Sequence, residues 1–139
     1  MQTYDDYPVI VMMQFEDLGF CAKGEGPAFV RSHTLTHDGS FPNNTSGGQL
    51  SCGQAGAAAG FLGMTEAIRQ LTDQASERAV LSAQLGLVAG FGMVTYDRCL
   101  CTGAIILGRS DSSPSARPPE AGLIPSGDRL RYAADEGLP

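Results

Sequence analysis

The order of apolar and polar positions predicts a helix near the beginning of the chain. Asp5 or Asp6 precedes Pro8. This order is typical of a helix N-terminus, because an acidic side chain can accept from free N–H groups and proline loses no hydrogen bond at the first helical position. A partly apolar face continues to about Leu18, where Gly19 can adopt the left-handed conformation that ends many helices. We therefore expect a helix that ends at about Leu18.

The next segment, residues 28–37, is rich in β-branched and aromatic side chains. Such a composition favours a strand, and the Asp-Gly pair at residues 38–39 is a turn signal. We expect a short hairpin that returns through residues 41–42. On such a strand His33 and His37 would share one exposed face as surface residues, so the pattern predicts no metal site there.

A glycine-rich loop leads into a helical pattern within residues 44–71. The first part of this segment is poor in charge, and its glycine and alanine residues would let neighbouring backbone come close on all sides. We therefore expect a buried Gly/Ala-rich helix at the centre of the fold.

Two apolar runs of strand length follow, at residues 78–90 and 101–107, joined by residues 91–98. Near-continuous apolar strands are typical of a sheet covered on both faces. The end of the chain is rich in serine and proline and has little apolar surface to offset the entropy cost of ordering. We expect an α/β domain at residues 1–108 and a disordered tail at residues 109–139.

The acidic composition limits the classes of partner. The chain has a formal net charge of −6 and a pI near 4.7, and it lacks a basic cluster that would neutralise nucleic-acid phosphates or anionic lipids. No apolar stretch is long enough for a membrane span, and the first residues lack a secretory pattern, so we expect a cytoplasmic protein. The four cysteines are irregularly spaced, and we expect reduced thiols and no metal ligands.

Three stretches carry a resemblance to a known family. Residues 44–60, Asn-Thr-Ser-Gly-Gly-Gln-Leu-Ser-Cys-Gly-Gln-Ala-Gly-Ala-Ala-Ala-Gly, resemble the thiolase motif N-x-x-G-G-x-x-x-x-G-H-P-x-G-x-x-G in type and spacing. Residues 4–8 stand where thiolases carry N-E-A-F-A, and residues 18–26 look like L-G-L-C-x-x-G-x-G of the sterol-carrier group. By the content and order of these motifs, residues 4–107 resemble the C-terminal domain of the thiolase superfamily.

The resemblance implies a layered, thiolase-like C-terminal half with a buried helix. It also implies that the first strand and helix of this half are missing, together with the N-terminal half that holds the nucleophilic cysteine. The substrate would be an acyl-CoA thioester, with coenzyme A as part of the substrate and no separate cofactor. Thiolase-like proteins are usually oligomers as full-length chains. Because the half that holds the nucleophilic cysteine would be missing, we expect this chain to be a fragment that is inactive alone.

The departures from the thiolase pattern fall at positions that carry acid/base chemistry. Gln54 stands in place of the G-H-P histidine and cannot accept a proton near neutral pH. Tyr4 replaces the N-E-A-F asparagine, and Tyr96 falls at or next to the second thiolase cysteine. In this respect the chain is similar to the lipid-transfer-protein-type aldolases of steroid side-chain breakdown. These cleave a β-hydroxyacyl-CoA by retro-aldol chemistry and work with a small zinc-ribbon/OB-fold partner.

Residue roles follow from that resemblance. Tyr96 would act as the acid/base, assisted by Tyr4 or Tyr7, because retro-aldol cleavage needs a base for the β-hydroxyl proton. Gln54, Asn44 and amides of the glycine loop would hold the enolate oxygen. The loop residues assigned to substrate binding are Gly47, Gly48, Cys52 and Gly53.

Other interpretations stay open beside the lyase. An acetyl-CoA acetyltransferase-like activity belongs to the same superfamily, and the absence of histidine at position 54 is what favours the lyase. The chain could instead be a non-catalytic acyl-CoA- or lipid-binding subunit, or a truncated reading of a longer gene. Tyr96 could be a packed structural tyrosine, and Cys52 is better explained as a small apolar filler than as a nucleophile.

Overall fold

Helices lie beside a small sheet in the computed structural model of the chain, which describes residues 1–54, 56–94 and 99–110. The helices are α1 (Pro8–Asp17), α2 (Gly26–Ser32), α3 (Gly48–Cys52) and α4 (Gly60–Leu71), with single 3-10 turns at Gly56–Ala58 and Ser76–Arg78. The strands are β1 (Leu85–Val94) and β2 (Cys99–Gly108). None of the helices described is long and apolar enough to cross a membrane.

The two strands pair antiparallel, with Leu85 opposite Gly108 at one end. The beginning of the chain lies along the other edge of β1. There the Gln2 N–H donates to the Leu87 carbonyl oxygen, and the Ala89 N–H donates to the Gln2 carbonyl oxygen, each at 2.8 Å. This parallel bridge fixes the residues just before α1 against the sheet.

Helix α4 packs closely on β1. An added Cβ at Gly63 would lie 3.3 Å from Cγ1 of Val88, and one at Gly86 would lie 3.4 Å from side-chain atoms of Ala67 and Leu71. Such distances leave little room for larger side chains, so the two glycines allow the helix to approach the strand. The close approach expected of the Gly/Ala-rich segment is therefore confirmed on this face.

The glycine-rich segment is divided among several short elements rather than forming one long helix. It runs from α3 through the 3-10 turn at Gly56–Ala58 into α4. The buried residues of α4 are Glu66, Ala67, Gln70 and Leu71, all in its second half, and Phe61 near its N-terminus is 65% exposed. The expectation of a helix buried on all sides is not met within the described residues.

An aromatic cluster joins α1, α2 and the loop that follows. Phe15 is fully buried, and its ring lies 5.3 Å from that of Phe29 and 5.4 Å from that of Phe41 between centroids. The strand predicted at residues 28–37 is wrong, because α2 occupies the first part of it. Pro27 stands at the start of that helix, and packing of the Phe29 ring decides the conformation against the local β preference.

The predicted turn at residues 38–39 is confirmed, but the residues on either side of it do not form the predicted strands. The Gly39 N–H donates to the Thr36 carbonyl oxygen at 2.9 Å, and the Phe41 N–H donates to that of Thr34 at 3.0 Å. His33, assigned to an exposed strand, instead lies at the end of α2, stacked on the Phe29 ring.

The remaining boundaries are partly as expected. The bounds of α1 and of the second strand agree with the prediction, and Gly19 follows α1 with a φ of 81°. The prediction that this strand is covered on both faces is wrong, because residues 101–106 are exposed. The first strand begins at Leu85, seven residues later than predicted, since a 3-10 turn and a loop precede it. Residues 91–94, predicted as part of the connection between the strands, belong to β1 instead. Residues 95–98 and 111–139 lie outside the described residues. The division into a domain and a tail therefore stays a prediction.

Candidate functional site

Asn44 ties the glycine loop to the beginning of the chain. The Thr3 N–H donates to Oδ1 of Asn44 at 2.8 Å, and Nδ2 of Asn44 donates to the Thr3 hydroxyl at 3.2 Å. Its backbone N–H donates to the Met1 carbonyl oxygen at 3.0 Å, and its φ is 49°. Oδ1 and Nδ2 of Asn44 thus both form hydrogen bonds that hold the loop. This structural role is additional to the predicted role in substrate binding.

Three glycines of the loop have positive φ, at 95° for Gly47, 70° for Gly48 and 97° for Gly53. Gly48 lies against Asp5, whose Oδ1 accepts the Gln49 N–H at 2.8 Å. The sequence had suggested that Asp5 or Asp6 caps α1. The structure shows no side-chain cap there, and Asp5 instead holds the first turn of α3.

Tyr4, Asp6 and Gln54 form a hydrogen-bonded cluster beside this loop. The Tyr4 hydroxyl donates to Oδ2 of Asp6. Nε2 of Gln54 donates to the Tyr4 hydroxyl oxygen at 3.4 Å and to Oδ2 of Asp6 at 3.3 Å. Tyr4 and Gln54, two of the predicted catalytic residues, therefore come together although they are far apart in the sequence. They meet at the carboxylate of Asp6, which the sequence pattern predicted only as a helix cap.

The Tyr4 side chain is fixed by both neighbouring elements. Its ring stacks on that of Phe91 in β1, with centroids 5.9 Å apart. Its backbone is held by the buried Gln14 of α1, which accepts the Tyr4 N–H at 3.1 Å and donates to the Tyr4 carbonyl oxygen at 2.7 Å. The hydroxyl is thus positioned by packing on one side and paired backbone on the other.

The environment raises the pKa of Tyr4 above its usual value of 10.0, chiefly because Asp6 accepts the hydroxyl hydrogen bond and secondly because of burial. The Gln54 amide acts in the opposite direction on this pKa. The phenol therefore keeps its proton at neutral pH and can donate it or pass it on. Oδ1 of Asp6 is buried and has no hydrogen-bond partner among the described residues.

The other predicted residues are placed differently. Tyr7 is the residue that precedes α1 and is 63% exposed, and its charge contributes only weakly to the raised pKa of Tyr4. The exposed Cys52 donates its thiol hydrogen to the Ser46 carbonyl oxygen at 3.3 Å. Tyr96, the residue predicted to be the main acid/base, lies outside the described residues. Its role stays a prediction.

A second polar cluster lies under the loop and was not anticipated from the sequence. Glu66 of α4 is 1% exposed, and its Oε1 accepts the Thr45 hydroxyl at 2.7 Å and Nε2 of Gln70 at 3.0 Å. Arg78 lies 3.5 Å from its other oxygen. The signal available in the sequence was the spacing of Glu66 and Gln70, four apart on one helix face. This cluster joins the loop to α4.

The arrangement combines a protonated phenol, a carboxylate that can accept a proton, and amide donors. Gln54 is exposed, so the cluster is open to solvent on that side. Since an amide cannot take a proton at neutral pH, proton transfer within the described cluster belongs to Tyr4 and Asp6. The fold and this loop define a domain of the type found in acyl-CoA-handling thiolases.

Comparison with known proteins agrees with that class. A family described as "Thiolase C-terminal domain-like" matches residues 1–109. The chain belongs to this family, which confirms the resemblance seen in the motifs.

Several curated relatives are similar over the same region. The chain is 35% identical over 92 residues to a 17-hydroxy-3-oxo-4-pregnene-20-carboxyl-CoA lyase of Mycobacterium tuberculosis, and 36% identical over 92 residues to a steroid side-chain-cleaving aldolase of Thermomonospora curvata. It is 32% identical over 92 residues to an acetyl-CoA acetyltransferase of Methanothermobacter thermautotrophicus. Each match covers 66% of this chain but only 23%, 23% and 24% of the respective relative. The chain thus spans about a quarter of the length of these relatives.

Proposed function

We propose that this chain is part of a thiolase-superfamily enzyme that cleaves a carbon–carbon bond next to an acyl-CoA thioester by retro-aldol chemistry. One observation carries the proposal: Gln54, which stands where the thiolase resemblance places a histidine, donates to a Tyr4–Asp6 pair. The thiolase type of base is replaced by an amide, while a tyrosine and a carboxylate remain for proton transfer.

The similarity to curated relatives supports this proposal at the level of the enzyme class. Of the relatives named above, one is a lyase of a pregnene carboxyl-CoA and one is a steroid side-chain-cleaving aldolase, as their names state. Their likeness favours a β-hydroxyacyl-CoA substrate, with a steroid acyl group as the first to test.

Retro-aldol cleavage asks for a definite set of groups. A base takes the proton of the β-hydroxyl, the bond between the α- and β-carbons breaks, and its electron pair passes to the thioester as an enolate. Gln54 and the backbone amides around Gly47 and Gly53 would donate to the enolate oxygen. Coenzyme A enters as part of the substrate, and the chemistry needs no further cofactor. Tyr96 stays the predicted acid/base of the complete site.

The test begins with the native gene product, recovered with an antibody against residues 44–60, and with its intact mass. That protein is then assayed with a β-hydroxyacyl-CoA for release of a carbonyl product and a shortened acyl-CoA. A parallel assay follows thiolysis of a 3-oxoacyl-CoA by free coenzyme A. Retro-aldol release alone supports the proposal. Thiolysis alone, or binding of acyl-CoA without turnover in a product of 14.5 kDa, would overturn it.

The second candidate is an acyltransferase. The similarity to the acetyl-CoA acetyltransferase of Methanothermobacter thermautotrophicus, at 32% identity, favours it, whereas Gln54 argues against it. The zinc-ribbon/OB-fold partner and an oligomer built by the full-length enzyme are further proposals. Co-purification of a small zinc protein with the native product, and its mass by light scattering, would test them.

A further inference from the structure

We propose that Asp6 is a positioning residue of the lyase site. It receives the Tyr4 proton while Tyr4, in place of the Tyr96 predicted for this step, receives the proton of the substrate β-hydroxyl. The inference rests on the proposed function and deepens it, because it assigns a proton acceptor that neither the motif resemblance nor the relatives' names supply. Asp6 acts through Tyr4 and needs no contact with the substrate itself.

The geometry of the carboxylate carries this assignment. Oδ2 of Asp6 accepts from both the Tyr4 hydroxyl and Nε2 of Gln54, so the two donors of the cluster converge on one oxygen. The other oxygen, Oδ1, is buried with no partner in the described part of the chain. A buried polar atom without a partner is uncommon and costly, and a catalytic role is one of the recognised reasons for retaining it. The unpartnered Oδ1 marks Asp6 as a candidate functional residue, and the Tyr4 proton has a direct path along the existing hydrogen bond to Oδ2.

The neighbouring Asp5 shows the contrast. Its Oδ1 accepts the Gln49 N–H at 2.8 Å, and its Oδ2 lies against Gly48. Asp5 therefore holds the loop, whereas Asp6 accepts from the Tyr4 hydroxyl and the Gln54 amide. Only one of the two acids is therefore available for proton transfer through Tyr4.

The step balances without any added reactant. The β-hydroxyl proton moves to the Tyr4 oxygen as the original Tyr4 proton moves to Oδ2 of Asp6. The bond between the α- and β-carbons breaks, a carbonyl forms at the β-carbon, and the electron pair passes to the thioester enolate. The proton then returns from Asp6 through Tyr4 to the α-carbon. The pair is restored, and one carbonyl compound and one shortened acyl-CoA leave.

A first experiment measures the coupling directly on the 139-residue chain. Tyrosine carrying carbon-13 at Cζ is introduced, and Tyr4→Phe identifies the Tyr4 resonance by its loss. Asp6→Asn keeps an acceptor oxygen but removes the charge, so the raised pKa of Tyr4 should fall. The control Asp73→Asn removes an exposed surface carboxylate and should leave this pKa unchanged. An unchanged Tyr4 pKa in Asp6→Asn would overturn the pairing.

The wild-type chain offers a second measurement that does not depend on folding of a variant. Among the described residues, the titratable groups that act on the Tyr4 hydroxyl are Asp6 and Tyr7, and Asp5 is the neighbouring acid in the chain. Acidification should move the Tyr4 Cζ resonance, and this movement should persist in Tyr7→Phe and Asp5→Asn. A Tyr4 resonance that stays still at acid pH would contradict the assignment.

The closing experiment is kinetic and uses the native gene product. Asp6→Asn should lower kcat for retro-aldol cleavage by about 100-fold or more, the usual scale of acid/base catalysis, with KM within about threefold. A proton inventory in mixed light and heavy water should be curved in wild type, because two protons move, and linear in the variant. Inactive wild type would overturn the proposed function. Active wild type with a fully active Asp6→Asn would overturn the role of Asp6 alone.

Discussion

Gly48 lies so close to Asp5 that an added Cβ at Gly48 would overlap Oδ2 of Asp5. The φ of Gly48 is 70°, a region that side chains rarely adopt. The Asp5 carboxylate cannot move away without releasing the Gln49 N–H at the start of α3. Conformation and space therefore both require glycine here, at the centre of the loop that faces the Tyr4 cluster.

Gly48→Ala should consequently destabilise the chain by about 2 kcal/mol or more, since the left-handed backbone costs about 1–2 kcal/mol before any displacement of Asp5 is counted. Urea unfolding followed by circular dichroism measures the loss. The matched control is Gly60→Ala at the start of α4, where an added Cβ meets no atom within 4 Å. That variant should be neutral or slightly more stable. Equal losses in both variants would contradict the explanation.

The buried Glu66 gives a second prediction. Glu66→Ala removes the acceptor of the Thr45 hydroxyl and the Gln70 amide. Because Arg78 is 44% exposed and stays partly solvated, the loss should lie near the lower end for buried pairs, about 2–3 kcal/mol. The same urea experiment tests it, with the exposed Glu77→Ala as control, expected to change stability by no more than about 0.5 kcal/mol. A loss in Glu66→Ala no larger than the control's would show that the cluster contributes little.

The aromatic cluster gives a third prediction with a matched pair of phenylalanines. Phe15 is 0% exposed and Phe61 is 65% exposed. Phe15→Ala leaves a cavity between α1 and α2 and should cost about 3–5 kcal/mol, whereas Phe61→Ala should cost about 0.5 kcal/mol or less. Thermal unfolding of the two variants compares them directly. A reversed order would mean that the core is assigned to the wrong place.

The thiolase-like motifs predicted more of the residues in this cluster than the local helix and strand patterns did. Tyr4 and Gln54 are fifty positions apart, and only the order of thiolase-like motifs indicated that they meet. Asp6 was missed because an acid before a proline fits a helix cap so well. The available signal was its position two residues after Tyr4, which is close enough for its carboxylate to accept from the Tyr4 hydroxyl.

The local patterns failed where packing decided the conformation. Residues 28–37 have the composition of a strand, yet Phe29 belongs to α2 and packs on Phe15. Preference for strands reflects the surface on which a side chain packs, so a residue with an aromatic partner on a neighbouring helix follows that partner. The burial of Glu66 likewise could not be predicted from its neighbours in the sequence, because its partner Thr45 comes from the distant loop.

The last prediction concerns acid stability and Glu16. Oε1 of Glu16 accepts the Gly26 N–H at 2.8 Å and so joins α1 to the start of α2. The backbone N–H groups of Gly24 and Gly26 lower the pKa of Glu16 below its usual value of 4.5. A group with a lowered pKa in the folded state stabilises the fold at pH values above its unfolded pKa. This contribution is lost as the pH falls through the folded-state pKa.

Glu16→Gln should therefore be less stable than wild type near neutral pH, and the difference in urea midpoint should shrink on acidification. A difference that is constant from about pH 6 to about pH 3, on either side of the ordinary glutamate pKa, would show that the Glu16 charge does not contribute.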